Sequence, residues 1–462
     1  MRKRSTTIDV LFLNWRDPAH PEGGGSEQYV QRVAAGLAAA GERVQVFCAA
    51  HALAPADEVV DGVELVRRGG RLSVYLRGLA HVVRTRPRLV VDVQNGVPFL
   101  SPLVTRVPVV VLLHHVHREQ WPIVFGRVGG ALGWWLESVV APRVYRRCRY
   151  VTVSRATADE LVELGVDAER IALAPNGVDP VPPVTAVRAA EPRLVVLGRL
   201  VPHKQVEHAI DVVARLQDRF PTLTLDVVGS GWWADELARH AADRGVAERV
   251  RFHGHVDDQA KHELLAAAWV QVCPSVKEGW GIVVTEAGAH EVPTVAYRSA
   301  GGLRESVVDG VTGVLVEDLD ELTAAVADLL VDPARRTAMG GAAAEHAAGF
   351  TWPGSVARFA AVLAAARSGS AVAVVQDVRA VAGLDRAAVR RGLESAVGVQ
   401  GGAGGGDARE GDHCAGTEGG ERGDERLHAG DRFPRGRRRN GTIGPRTVND
   451  NPAAPTTTPA RR

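Results

Sequence analysis

No stretch of about eighteen apolar residues occurs anywhere in the chain, which argues against a membrane-spanning helix. The longest candidate, VGGALGWWLESVVAP from Val128, is interrupted by Glu137 and stopped by Pro142. Cysteine is scarce: Cys48, Cys148, Cys273 and Cys414 are scattered with no CxxC pair, so neither a disulfide framework nor a zinc site is expected and a reduced, cytoplasmic setting fits. Charge of one sign is also lacking. A formal net charge of +1 over 462 residues gives no bulk attraction for nucleic acid, and no nucleic-acid partner is expected. The basic start, MRKRSTTIDVLFLNW, is followed only by the apolar run Val10 to Leu13, too short for the core of a secretory leader. What remains is a globular enzyme or binding protein too long for one ordinary hydrophobic core.

One segment reads two ways. Trp121, Trp134 and Trp135 lie close to Arg143, Arg146, Arg147 and Arg149. Such a segment either packs a tryptophan face inside the protein, the commoner arrangement, or makes a peripheral contact with anionic lipid on the inner face of the membrane.

From Ile8 onward, short apolar runs alternate with amphipathic segments, the pattern of βα units around a parallel sheet. IDVLFLN, RVQVFCA, LVVDVQN, PVVVLLH, YVTVS and RIALAP read as strands, with helices over Ser26–Ala40, Leu72–Thr85 and Arg155–Leu164. Pro175 to Pro192 holds five prolines and an Asn-Gly turn, which mark a linker. A second series follows: RLVVLGRL, TLTLDVVG, RVRFHGHV, WVQVCPS, TVAYR and GVLVE as strands, with helices starting at Val206, Ala234, Asp258, Ile282 and Asp320. The expected organisation is an α/β protein of two doubly wound, Rossmann-like domains, residues 1–174 and 193–350, joined by a hinge at 175–192. A final helix spans 351–368, and a low-complexity, largely disordered tail is expected over 369–462. From Gln400 onward the only large aliphatic or aromatic residues are Leu427, Phe433, Ile443 and Val448, too few to offset ordering, while 369–399 is Ala- and Val-rich and open to a helix. Ligands of such folds bind beyond the carboxyl ends of the strands, in a cleft between the sheets.

The motifs fall at those strand ends. PEGGGSEQYV, residues 21–30, offers glycines that admit a ligand close to backbone, with Ser26 as a candidate helix cap. In GRLVPHK, Arg199 and Lys204 flank a turn and are candidates to neutralise one diphosphate. VGSGWWADEL places Gly229, Gly231 and Ala234 in a G-x-G-x-x-A pattern. It lies after the second strand of its domain, with no clear ribose acid about twenty residues on, so it reads as a tight turn near a nucleotide rather than a nicotinamide site. LLHHVHREQW carries His114, His115 and His117. Neighbouring side chains of an extended chain point to opposite sides and no carboxylate or cysteine completes a set, so a metal is not expected; either His114 or His115 faces the cleft. In CPSVKEGWGIVVTEAGA, Glu278 and Glu286 stand eight positions apart around a glycine loop that opens a helix. Backbone N–H groups there suit a diphosphate, and the carboxylates suit hydroxyls of a sugar or ribose.

Together GGGSE, VTVSRATADEL, APNGVD, GRLVPHK, VVGSG, FHGHV and EGWGIVVTE, the last an E-x7-E motif, resemble the retaining GT-B glycosyltransferases of family 4 over roughly residues 7–365. The resemblance implies transfer of a hexosyl group from a nucleotide-diphosphate sugar to a hydroxyl of a lipid, polysaccharide or small-molecule acceptor, with retention and with neither metal nor cofactor beyond the donor itself. It implies that Glu278 lies near the donor sugar's hydroxyls, Glu286 on the ribose, and Arg199 and Lys204 on the diphosphate. Gly279, Trp280, Gly281 and Ile282 bring backbone to the phosphates, Gly229, Gly231 and Val256 line the nucleotide, and Gly24 and Gly25 approach the donor from the first domain. It also implies that His114 or His115 contacts the sugar. A GT-B epimerase acting on the nucleotide-sugar, and a non-catalytic nucleotide- or carbohydrate-binding protein on the same fold, are the alternatives; the presence of Arg199, Lys204, Glu278 and Glu286 argues against the latter.

Overall fold

A computed structural model describes residues 7–369, so the tail expected at 369–462 lies, but for its first residue, outside the described residues. The first sheet is built from β1 (Val10–Leu13), β2 (Val44–Cys48), β3 (Asp57–Val60), β4 (Val63–Arg67), β5 (Val90–Val93), β6 (Val109–Leu113), β7 (Arg149–Thr152) and β8 (Ile171–Leu173). Its spatial order is β3-β4-β2-β1-β5-β6-β7-β8, with every pair parallel except the edge hairpin β3/β4. The second sheet holds β9 (Arg193–Leu197), β10 (Thr224–Val228), β11 (Val250–Gly254), β12 (Val270–Cys273), β13 (Thr294–Tyr297) and β14 (Gly313–Val316), all parallel, in the order β11-β10-β9-β12-β13-β14.

The strands are Val- and Leu-rich because helices cover both faces: β1, β2, β5, β6 and β12 are buried along their whole lengths. The helices bury one stripe. In Val206–Leu216, positions 206, 209, 210, 213 and 216 follow the helical repeat and are buried together with Val212. In each sheet the strand order reverses beside the first strand of its series, at β1/β5 and at β9/β12. The loops leaving β1 and β9 therefore stand at the crevices where such sheets bind ligands.

Helix boundaries fall within a residue of the expected ones: Gly25–Ala39, Ser73–Thr85 and Arg155–Glu163 in the first half, and starts at Val206, Ala234, Asp258, Ile282 and Leu319 in the second. The hairpin β3/β4 and the helix Pro333–Ala348 were not anticipated. Asp61 and Gly62 turn the hairpin with φ of 52° and 79°, the backbone that an Asp-Gly pair adopts readily.

The chain crosses between the sheets twice, side by side. Val178 pairs with Thr351 as an isolated parallel bridge, and the Val178 N–H donates to the Phe350 carbonyl at 2.9 Å. Ser355 Oγ donates to the Pro175 carbonyl at 2.5 Å and Tyr29 Oη to that of Ala174 at 2.9 Å. The last described helix, Trp352–Ser368, then packs on the first sheet's core, where Phe359 stacks on Phe12 at 5.9 Å and Tyr29 meets Trp352 edge-on.

Candidate functional site

The loops leaving β1, β6, β9, β10, β11 and β12 surround a cleft of about 1000 Å³. All but one of the sequence-predicted site residues line it: Gly24, Gly25, His114, His115, Arg199, Lys204, Gly229, Val256, Gly279, Trp280, Gly281, Ile282, Glu278 and Glu286. Gly231 does not. A Cβ there would lie 2.1 Å from the Leu200 carbonyl oxygen, so this glycine lets the turn after β10 pack against the loop after β9. Its position is a packing requirement rather than a ligand contact.

Lys204 Nζ donates to Glu278 Oε1, and Ser275 Oγ donates to the same oxygen at 2.8 Å. Burial alone would raise the Glu278 carboxyl, but Lys204 and these hydrogen bonds outweigh it and hold the group below the ordinary carboxylate range. Arg199 comes next on the same wall, and among the described residues no carboxylate lies within ion-pair distance of it. Burial, then Arg16, makes its charge more costly than usual. An unpaired guanidinium beside a paired ammonium is a site short of negative charge. The first turn of helix Ile282–Ala289, opened by Gly281 with φ of 83°, faces the same space and adds backbone N–H donors.

Glu286, one turn into that helix, accepts from Lys261 Nζ at 2.9 Å, and Lys261 also reaches Asp258 at 3.1 Å. Burial raises the Glu286 carboxyl in spite of Lys261, the opposite direction to Glu278. The two acids of the E-x7-E motif are thus each matched with a lysine but set in different environments.

On the facing wall, His114 is buried, with its ring edge-on to Tyr29 at 5.1 Å, and its Nε2 has no partner among the described residues. Burial, against the pull of Glu27, lowers it to about 4, so the ring is neutral near pH 7. His115 Nε2 lies 3.1 Å from Gln120 Oε1, with its ring against His117 at 4.2 Å, and His117 Nδ1 is 2.9 Å from Glu137. Of the two candidates, His114 keeps a free ring nitrogen at the cleft, while the other histidines are engaged.

Several groups at or behind the cleft wall lie in or near these motifs but were given no role from sequence. Glu27 is fully buried; its Oε2 accepts the Gly24 N–H at 2.8 Å and its Oε1 the Arg16 Nε–H at 2.9 Å. The expected cap, Ser26, lies inside the first turn; Gly24 occupies the cap position and Glu27 reaches back to it. The G-x-x-E spacing is a capping signal that could have identified Glu27. Lys277, directly before Glu278, crosses to Glu160 of the first domain. Across the same gap, the Glu305 carboxylate accepts the Arg155 and Ala156 N–H groups, each at 2.9 Å, at the start of helix Arg155–Glu163. Gly279 lies so close to the facing wall that a Cβ would stand 2.2 Å from the His114 carbonyl oxygen.

Comparison with known proteins identifies the family. Residues 23–181 match the family described as Glycosyltransferase Family 4, and residues 182–346 the one described as Glycosyl transferases group 1. A GDP-mannose-dependent alpha-(1-6)-phosphatidylinositol monomannoside mannosyltransferase of Mycolicibacterium smegmatis is 36% identical over 241 residues, 48% of this chain and 61% of that relative. A D-inositol 3-phosphate glycosyltransferase of Catenulispora acidiphila is 32% identical over 413 residues, 79% of this chain and 96% of the relative. The structure of Anabaena HepE in complex with UDP and glucose superposes with a TM-score of 0.62 at 22% identity, covering 78% of this chain and 100% of that one. With two doubly wound domains of GT-B type and this level of likeness along most of its length, the chain is a glycosyltransferase and belongs to family 4 of the group 1 glycosyltransferases.

Proposed function

We propose that the chain transfers a hexosyl group from a nucleotide-diphosphate sugar, with retention, to the hydroxyl of an acceptor that enters from the first domain. The observation that carries this reading is the convergence on one wall of Arg199, Lys204 and the amide donors of Gly279–Ile282, flanked by Glu278 and Glu286. The diphosphate sits against that cationic wall, Glu286 accepts the ribose hydroxyls, and Glu278 accepts hydroxyls of the sugar while Lys204 bridges to phosphate. Val256 and Gly229 border the base. His114 offers its free Nε2 to the sugar from the other side.

In the reaction the bond from sugar C1 to the β-phosphate oxygen breaks with its electron pair going to that oxygen. The acceptor oxygen bonds C1 on the same face, and its proton passes to the departing phosphate. The protein supplies orientation and fixed positive charge where the leaving group gains negative charge, and no side-chain base is assigned. No cofactor beyond the donor is assigned either. The relatives' names support a nucleotide-sugar donor, GDP-mannose in one case, and HepE binds UDP and glucose.

Incubation with UDP-glucose, GDP-mannose and ADP-glucose, followed by assay of free nucleoside diphosphate, tests the reading. At least one donor should release nucleotide, and Lys204→Ala should cut the rate more than it shifts the melting temperature. An isomerised donor with no free nucleotide would identify an epimerase instead. Donor binding with no chemistry, across acceptors, would favour a binding protein.

A further inference from the structure

Residues 69–149 contain twelve arginines and only three acids, Asp92, Glu119 and Glu137, whereas the whole chain is nearly neutral. Asp92 and Glu137 are buried, so the solvent-facing charge of this stretch is almost wholly positive. At its centre the helical segment Gln120–Trp135 breaks at Gly126, and its two pieces fold back on each other. The fold is tight: a Cβ at Gly133 would stand 2.3 Å from the Trp121 ring, while Trp121 Nε1 donates to Glu137 at 2.7 Å. Small residues and Trp121 fill the inside of this hairpin, which leaves its larger apolar side chains no interior to enter. Ile123, Val124, Phe125, Val128, Leu132 and Trp135 are accordingly between 48% and 86% exposed. Arg71 lies 5.6 Å over the Phe125 ring, which brings exposed Leu72 and Leu76 into the same patch.

Scattered apolar residues on a surface need no explanation, but eight together on two adjoining elements do. Arg71 over Phe125, Arg118 over Trp134 and Arg127 within the hairpin accompany them, all exposed. An apolar centre edged by guanidinium groups matches a bilayer of anionic lipid, in which the apolar side chains enter the acyl boundary and the arginines meet headgroup phosphates. A soluble partner chain would have to supply both an apolar and an acidic surface. Gln120, the first residue of the segment, lines the cleft, so the patch starts three residues from the acceptor side of the site. No helix among the described residues is long and apolar enough to cross a membrane, and the contact is therefore peripheral.

We propose that the hairpin at 120–135, with Arg71, Leu72 and Leu76 beside it, seats the protein on anionic membrane and presents the cleft mouth to hydroxyls carried at that surface. This goes beyond the transfer reading and stands or falls separately from it.

The test is co-sedimentation of the full chain with vesicles of equal parts dioleoylphosphatidylglycerol and dioleoylphosphatidylcholine, against vesicles of dioleoylphosphatidylcholine alone. Binding should occur to the mixed vesicles, fall at least about tenfold on the neutral ones, and fall as far again in a variant combining Ile123→Ser, Phe125→Ser and Leu132→Ser. An Arg71→Glu, Arg127→Glu double variant should lose binding to the mixed vesicles at low salt with its melting temperature unchanged. Nucleotide release from the donor in solution should be the same in all forms. Undiminished vesicle binding by both variants would place the contact elsewhere, for instance in the arginine-rich run Arg435–Arg439, and overturn the proposal. No binding by the wild type would also overturn it, as would a wild-type dimer that the apolar triple variant dissolves.

Discussion

In the proposed reaction the Lys204–Glu278 pair serves both folding and chemistry. The carboxylate is held ionised inside the cleft by its lysine and Ser275, and the same lysine faces the space assigned to the diphosphate. Glu286 lacks that degree of compensation, since burial leaves its carboxyl raised even beside Lys261. A ligand that donates hydroxyl hydrogens to it would relieve the mismatch. Glu286→Ala is therefore expected to weaken donor affinity by roughly tenfold or more, the equivalent of about 1.5–3 kcal/mol for one charge-assisted hydrogen bond; calorimetric titration with the donor checks it. Wild-type affinity in that variant would remove Glu286 from the ribose.

His114 yields a pH prediction. The unfolded chain takes up a proton on this ring near 6.5 and the folded protein only near 4, because burial opposes the charge. Its contribution to stability is complete above the unfolded value and is lost as pH falls from there toward the folded one. His114→Gln should make the melting temperature decline less steeply over that interval than in the wild type. An unchanged slope would mean the ring is more solvated than its surroundings indicate.

At the scale of elements, the loop after β1 is held by one glutamate. Glu27 ties the Gly24 N–H and the buried Arg16 guanidinium together, so Glu27→Ala orphans a donor and leaves the buried cation only the exposed Glu22 carboxylate, 3.6 Å away. A loss of about 3–5 kcal/mol is expected by chemical denaturation, together with a weaker hold on the donor. Glu27→Gln, which keeps the cap but not the charge, should fall between.

Much at this level was legible in the sequence. Apolar runs such as VVVLL and VQVFC can only be doubly covered strands, and the amphipathic repeat of Val206–Leu216 admits one buried face. The Asp61-Gly62 hairpin carried a readable signal that a search for buried parallel strands passes over, because β3 is an exposed edge. The tryptophan segment divided: Trp121 turned inward, Trp134 is half-buried, and Trp135 is 51% exposed. A periodicity argument treats a segment as one helix, and the break at Gly126 defeats it. The sequence spacing of the cleft residues located strand ends. It held nothing to separate His114 from His115, or to show that Gly231 packs on Leu200, since both depend on what other loops bring alongside.

For the whole molecule, the contacts across the cleft describe a closed arrangement: Gly279 on the His114 carbonyl, Lys277 on Glu160, and Glu305 on the start of helix Arg155–Glu163. Opening would replace each with water. Gly279→Ala should block closure, since a methyl group cannot share that space with a carbonyl oxygen. The expected result is a fall of at least about tenfold in kcat/KM with an unchanged far-ultraviolet circular dichroism spectrum. Small-angle scattering checks the mechanism: the wild type should contract on adding nucleotide, and the alanine variant should not.

Helix Trp352–Ser368 follows the whole second sheet in the chain yet completes the core of the first, with Phe359, Val362 and Leu363 set among the side chains of β1, β6 and the first helix. During synthesis, the half of the protein made first must wait on the ribosome with that side of its interior open, while the half made second finds all its own strands and most of its helices already emerged. Order of manufacture and order of completion are thereby inverted, and nascent chains stalled before residue 352 should draw chaperones to their older half.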